Sequence, residues 1–552
     1  MIARIHKIKN DIKVVIKMEN HLTVGLFDEL DAIYPDTVAE SGEKIYKVSC
    51  ASASYAGVHI MMNGIAPGEC VTFEVKGPHK QYRLFELVEV PVEENGGLGE
   101  RTELMDGHYN PYVIRRAPFM VYEVLKPMRN IVRSQWPSLA VAFRTYVDVK
   151  HNEEQKWEIY VTAGNTTQKV TLIVDAYAVK VSETSNHTHK YVNWISLDKI
   201  EEIHGVPLWS KGWEEVVKSY FKLAHYGRQN IVWLEGHLYF EVNEAGHVVL
   251  NGKKLDKLIE LAKASGIHYF QGAALSGRKD GQWEAETAET ILTKDPIPGK
   301  GETTIRRMGE QLEAYLIKNH LKDCWIQSFF DEPLNVSSET YKLGVSILKE
   351  AMPGTPIVEA NKATHSITGS LTTWCPTVDR YDRDRAFYEE RKQLGDHIWV
   401  YTCLVPAGKY LNRLLDMERI RTVLIGWAAA LYDIEGFLHW GGTYFSVDPY
   451  RQSCVCMEGE DYTAYNLNYA MQLPAGDNGI LYPGYKGAIS SSRLEGHRIG
   501  FEDLELLKQL QVEKPEVADQ LIKTIIRSYQ DYEIDLKAYR RVKAEILKAL
   551  EA

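Results

Sequence analysis

Two carboxylates stand side by side at Asp331 and Glu332, after the six residues 325–330, which read as a buried strand, and before Pro333. A strand that ends in two acids delivers both to the rim of a sheet or barrel, where general acid/base work is done. Neighbours on a strand point to opposite faces, so the pair needs a turn, which Pro333 supplies, to act together. Adjacent acids also cannot flank a glycosidic bond from its two sides, as conventional glycosidases require. They suit a scheme in which the substrate's own 2-acetamido oxygen attacks the anomeric carbon. One acid then protonates the leaving oxygen, and the other holds the acetamido N–H.

The elements that must position this pair follow from hydrophobic rhythm. Residues 1–185 read as short strands separated by turn signals, with candidates at 12–18, 71–76, 80–92, 140–149, 157–162 and 170–181. They predict an N-terminal β-sandwich region. The polar stretch 183–190, with His187 and His189, reads as a solvated linker. From 190 to 512 the pattern gives eight β/α units, with strands at 191–196, 230–234, 267–271, 324–330, 356–360, 372–375, 397–403 and 436–440, the connection before the sixth being too short for a full helix. Helices are expected at 213–226, 255–264, 303–319, 337–352, 385–395, 416–431 and 501–512, the fourth capped by Ser337 or Ser338. The fold class is therefore α/β: a TIM-like (β/α)8 barrel with its active site at the C-terminal strand ends. An open doubly wound sheet loses ground, because no Gly-x-Gly-x-x-Gly follows a strand and no P-loop occurs. Residues 513–552 form a helical extension whose apolar stripe suits two packed helices or a homo-oligomer face.

The barrel rule selects the residues just past each strand: Trp194, Glu235, His237, Gln271, Asp331, Glu332, Asn361, Trp374, Tyr401, Trp440 and Tyr444. Acids, amides and aromatic faces together suit a sugar, with polar groups for hydroxyls and rings for C–H faces. Tyr401 is a candidate donor to an acetamido carbonyl, and Trp374 and Trp440 are candidates for the subsite floor. A sugar lacking the acetamido group would need a second carboxylate across the pocket, for which Glu235 or Glu359 is available. A non-catalytic carbohydrate-binding barrel is the remaining alternative.

Composition excludes other classes. The 552 residues carry 64 basic and 75 acidic side chains, a net charge of −11, which leaves no basic excess for nucleic acid or an anionic membrane. Seven scattered cysteines argue against a disulfide framework and for a reducing compartment. Cys454-x-Cys456 lacks a second pair, so no metal and no cofactor is expected. The first twenty residues lack the continuous apolar core of a signal peptide, and no run spans a membrane. The expected setting is the cytoplasm, and the expected partner a small oligosaccharide or glycoside.

Several segments resemble the catalytic domain of glycoside hydrolase family 123: the strand end 329–333 (FFDEP), 399–403 (WVYTC), 436–440 (GFLHW), 476–484 (GDNGILYPG) and 491–503 (SSRLEGHRIGFED). The resemblance spans roughly residues 190–512, and the β-rich N-terminal part resembles that family's companion domain. It implies an exo-acting, retaining β-N-acetylgalactosaminidase with substrate assistance, Asp331 orienting the acetamido group and Glu332 serving as general acid/base.

Overall fold

The computed structural model describes residues 21–184, 188–455 and 473–551. The strand candidate at 12–18, His187 and Cys456 lie outside them. The chain divides into two units, one comprising residues to Glu89 with Leu125–Ala178, the other Val90–Val124 with Val179 onward.

The first unit is built from antiparallel strands in two sheets. In one, Thr23–Phe27, Ser54–Asn63, Ser138–Val147 and Tyr82–Val92 lie in that order; in the other, Ile45–Ser52, Thr166–Lys180, Glu153–Ala163, Cys70–Lys76 and Ile131–Arg133. Alternation at period two turns Val71, Phe73 and Val75 inward, onto a core shared with Trp157, Ile159, Val161 and Phe143.

The second unit contains eight parallel strands: β1 (Lys190–Asn193), β2 (Ile231–Leu234), β3 (Tyr269–Gly272), β4 (Trp325–Gln327), β5 (Val358–Ala360), β6 (Thr373–Cys375), β7 (His397–Tyr401) and β8 (Gly436–His439). Helices α1 (Leu197–His204), α2 (Lys211–Tyr226), α3 (Gly252–Lys263), α4 (Lys300–Lys318), α5 (Ser338–Ala351), α6 (Val378–Arg383), α7 (Arg385–Gln393) and α8 (Ile420–Tyr432) fall between them. The strands form two sheets, β1-β8-β7-β6-β5 and β2-β3-β4, rather than one continuous ladder. Between β4 and β5 the pairing is a single parallel bridge, Gln327 to Ile357. Between β1 and β2, side-chain amides take the place of a ladder: Asn230 Oδ1 accepts the Tyr191 N–H at 2.9 Å, and Gln229 Oε1 accepts the Asn193 N–H at 3.0 Å. Val192, Ile231, Val358, Cys375, Trp399 and Leu438 fill the interior.

Two helical details depart from expectation. Ser337 does not cap α5; its hydroxyl accepts the Leu334 N–H at 3.1 Å and closes the turn after Pro333. The helix expected at 501–512, α9 (Ser492–Glu513), begins nine residues earlier. Ser491 caps it, accepting the Leu494 N–H at 3.1 Å. Gly426 of α8 and Gly500 of α9 let the two backbones touch: a Cβ on Gly426 would lie 2.1 Å from the Gly500 carbonyl oxygen.

His189 is a buried core residue, not a solvated linker side chain. Its Nδ1 lies 3.0 Å from the Ile434 carbonyl, and its ring stacks on Phe501. Much of the C-terminal stripe packs within the chain, with Leu521, Ile525, Tyr539, Val542 and Ile546 buried, while Val517 and Ile534 stay exposed. Helices α10 (Pro515–Ile525) and α11 (Leu536–Glu551) pack on α9, and Tyr539 and Lys543 of α11 meet Asp503 at 2.6 and 2.8 Å. The six described cysteines are free thiols. Among the described residues no helix is long and apolar enough to cross a membrane.

Candidate active site

The strand that carries the acids is shorter than its apolar run. Ladder pairing ends at Gln327, and side chains hold the next three residues. The Gln327 amide donates to the Ala273 and Ser328 carbonyls at 2.8 and 2.7 Å. Ser328 donates to the Val358 carbonyl at 3.0 Å and accepts from Gln271 Nε2 at 3.2 Å. Glu359 is buried, and one of its oxygens accepts the N–H groups of Phe329 and Phe330 at 2.7 and 3.1 Å. Its burial pushes the carboxyl well above the ordinary range, against the pull of those two N–H groups. Glu359 is thereby a positioning residue for the two peptides that precede Asp331.

Glu332 has φ 49°, a left-handed conformation that costs a non-glycine residue of order 1–3 kcal/mol. This turn interrupts strand alternation at the point where two neighbouring acids must share one site. Arg278 secures it: Nη2 donates to the Glu332 carbonyl at 2.8 Å, and Nε donates to the Trp283 carbonyl at 3.0 Å. The Tyr401 hydroxyl donates to Glu332 Oε1 at 2.5 Å. Asp331 is reachable from solvent, yet enough protein surrounds it that lost hydration is the largest influence on its carboxyl. That loss, with the adjacent Glu332 charge, pushes it up to about 7, while Arg278 opposes the shift.

The remaining predicted residues divide. Trp194 stacks on Trp233 (ring centroids 4.8 Å apart, planes 11° off parallel), and its indole donates to Gln271 Oε1 at 3.3 Å. Trp194, Trp233 and Trp440 all pack partly buried against the strand interior. The Trp440 indole donates to Asp477 Oδ2 at 3.3 Å, and Tyr444 packs against its ring. Asn361 is 3% exposed, with both amide atoms unpartnered among the described residues.

Three predicted residues serve other ends. Trp374 is fully buried, its indole bonded to Asp396 at 2.9 Å and its ring set edge-on to Phe387 of α7. Cys375 takes the interior position of β6, so alternation turns Trp374 outward and it cannot floor a subsite. Glu235 accepts the Leu197 N–H at 3.0 Å and so caps α1. His237 is bonded to Asp198 at 2.6 Å. Asp198, Glu235 and His237 are metal-ligand types with atoms within 4.8 Å of one another, but these contacts already engage them with α1 and with each other.

Sequence reasoning missed Arg278, Trp233, Asp477 and Arg493. Fully buried Arg493 donates to Glu123 at 2.6 Å, to the Arg413 carbonyl at 3.0 Å and to the Gly476 and Gly479 carbonyls at 2.5 and 2.7 Å. It thus ties the 476–484 loop, with Asp477, to the start of α9. Asp477 is pushed up to about 7 by burial, with Arg413 and the Trp440 N–H opposing. The signal for Arg493 and Asp477 was present in the two long motifs, but only as resemblance.

Comparison with known proteins places this geometry. The model of the glycoside hydrolase 123 catalytic domain matches residues 194–510. A family 123 glycoside hydrolase from Clostridium perfringens, whose structure was analysed for glycolipid glycan hydrolysis, superposes with a TM-score of 0.71 at 12% identity. The match covers 96% of this chain and 97% of that one. A β-glucuronidase from Parabacteroides merdae (9% identity, 87% and 51% covered) and a termite-gut GH10 xylanase (14%, 66% and 90%) reach TM-scores of only 0.32, too low to carry an argument. No curated protein sequence matches the chain. A family model spanning more than half the chain, over a fold that agrees end to end, assigns it to glycoside hydrolase family 123, and it is a glycosidase by that membership.

Proposed function

We propose that this glycosidase is an exo-acting, retaining β-N-acetylgalactosaminidase that uses its substrate's acetamido group as nucleophile. The observation that carries the reading is the Asp331–Glu332 pair on a left-handed turn, with the two alternative carboxylates engaged elsewhere. Glu359 is spent on the Phe329 and Phe330 N–H groups and Glu235 on α1. A conventional pair therefore lacks an available second acid among the candidates. We read the two parallel sheets as arcs of one (β/α)8-type barrel within residues 190–512, with 1–185 as companion and 513–552 as buttress. The glycan of a glycolipid, the subject of the Clostridium perfringens study, is the first natural substrate to try.

In the first step the acetamido carbonyl oxygen bonds to C1 as the C1–O bond breaks. Glu332 gives its proton to the departing oxygen. Asp331 accepts the acetamido N–H and balances the positive oxazolinium character. In the second step Glu332 takes a proton from water, whose oxygen bonds to C1 and reopens the ring with net retention. An incoming N–H donor favours the ionised form of Asp331, which is the form that accepts it. Tyr401 orients Glu332 until the acetamido group competes for the phenol. Trp194, Trp233 and Trp440 offer faces for the sugar ring, with Gln271 and Tyr444 behind them.

The test is release of nitrophenol from p-nitrophenyl β-GalNAc and β-GlcNAc, with the galacto substrate preferred. Glu332→Gln lowers kcat/KM by about 10²–10⁴-fold, and a thiazoline analogue of the intermediate inhibits. An unimpaired Glu332→Gln enzyme refutes the assignment. Sugar binding without turnover of any glycoside leaves the non-catalytic reading.

A further inference from the structure

Trp440 follows β8 directly, and the backbone after it is laced to the 476–484 loop. The Ile480 N–H donates to the Gly442 carbonyl at 3.1 Å, and the Tyr444 N–H to the Asn478 carbonyl at 2.9 Å. A Cβ on Gly441 would lie 2.1 Å from the Asp477 carbonyl oxygen, a close approach that only glycine permits. These contacts fix the main chain. The partly buried indole keeps rotamers of its own, and a ring face that swings cannot hold a sugar in one pose. An indole has a single donor, and this one goes to Asp477 Oδ2 at 3.3 Å.

Behind Asp477 stands a chain of buried polar groups. Asp477 and His439 are fully buried, and Arg413 nearly so. Burial and the Arg413 charge push the His439 titration well below the ordinary range, so its ring is neutral. His439 Nδ1 meets two donors, Arg413 Nη2 at 2.7 Å and the Gly441 N–H at 3.0 Å. Nδ1 is therefore the bare nitrogen, and the proton sits on Nε2. That N–H faces Asp477 Oδ1 across 3.5 Å, and neither atom has another partner among the described residues. Both neighbours of the Asp477 side chain are thus donors, an arrangement that two carboxylate oxygens match and an amide does not. Arg413, also bonded to Asn193 Oδ1 at 2.6 Å, brings the buried positive charge that the carboxylate balances. We propose that Asp477 is a positioning residue of this glycosidase: Arg413, through His439, orients its carboxylate, and the carboxylate locks the Trp440 indole in the pose that meets the sugar, a step that rests on the ring-face role given to Trp440 above.

The experiment is a double-mutant cycle on p-nitrophenyl β-GalNAc, with thermal melting as the check on folding. Asp477→Leu keeps the side-chain shape and removes both acceptors; Trp440→Phe keeps a ring and removes the N–H. Each should raise KM about tenfold with kcat within about threefold, the mark of a lost binding pose. The double variant should fall no more than about twofold below the worse single, because both break one bond. Losses that multiply to about a hundredfold in the double variant overturn the proposal, since the two residues then act separately. Trp440→Phe tests it even where Asp477→Leu melts early: kinetics within twofold of wild type, beside a tenfold loss in Trp440→Ala, mean that the ring matters and its hold does not. Unchanged kinetics in Trp440→Ala refute the ring-face role instead, and absence of wild-type turnover refutes the hydrolase reading. In either event the indole proton resonance of Trp440, identified by its loss in Trp440→Phe, decides: a downfield position given up in Asp477→Leu supports the lock, and an unmoved resonance overturns it.

Discussion

Replacing Glu359 separates two uses of a buried carboxylate. As a nucleophile it would be indispensable, and Glu359→Gln would lose three orders of magnitude or more in rate. In the structure its work is to accept the Phe329 N–H at 2.7 Å and the Phe330 N–H at 3.1 Å, with the Tyr341 hydroxyl at 3.4 Å. A glutamine oxygen accepts the same bonds, so Glu359→Gln should keep kcat/KM on an aryl glycoside within about tenfold, roughly 1.4 kcal/mol. Glu359→Ala leaves two buried N–H groups unmet, at about 1–3 kcal/mol each, and frees the peptides that place Asp331. It should cost about 2–6 kcal/mol in urea unfolding. The pH dependence adds an independent sign. The folded carboxyl titrates well above its ordinary value of 4.5, so the folded state holds a proton that the unfolded state releases. Wild-type stability then falls as pH rises from 4.5 towards the folded value, and a glutamine removes that fall. The variant should therefore gain on wild type as pH is raised. A well-folded Glu359→Gln enzyme that loses a thousandfold in kcat/KM would refute this reasoning and restore the conventional carboxylate pair.

Two further predictions test the site and its frame. Arg278 holds the Asp331 carboxyl down against burial and the Glu332 charge, and in the proposed mechanism the ionised form accepts the acetamido N–H. The acid limb of kcat/KM should thus lie near 7 and move to higher pH in Arg278→Met but not in Arg278→Lys; an unmoved limb in both variants counts against Asp331 as its source. In Gly500→Ala the new Cβ would meet the Val423 carbonyl oxygen at 2.3 Å, backbone that cannot swing aside. Thermal melting should show a loss of about 1–3 kcal/mol or more, and an unchanged melting temperature would mean that α8 and α9 are free to separate.

Much of the second unit was legible because its signals are local. Each of the eight strands was readable as an apolar run bounded by turns, and most of the helices by a stripe at helical spacing, since backbone geometry imposes both periods on any chain. Helix α9 was read nine residues short for the same reason: its first half is buried on every side and contains Gly496 and Gly500, so it shows neither a stripe nor high propensity. Asp331 and Glu332 were visible as two acids after a strand, and their unsuitability for a conventional mechanism followed from adjacency alone.

What the sequence could not hold is whatever depends on two distant segments meeting. Trp374 and Trp440 look alike at their strand ends, and only the neighbouring α7 and the Asp477 loop decide that one is core and the other stays partly buried. Glu359 and Glu235 were equal candidates until hydrogen-bond partners some thirty to forty residues away engaged each of them. Motif 491–503 read as a mark of kinship; in the fold it is the physical contact of two glycine-bared backbones and one buried arginine tying several carbonyls. The sequence by itself determined which elements form and that a paired acid ends one of them, because those depend on local geometry. Tertiary structure decided which acids remain available, which aromatics meet solvent and how the turn at Glu332 is held, because hydration, charge and packing are set by what the rest of the chain brings near.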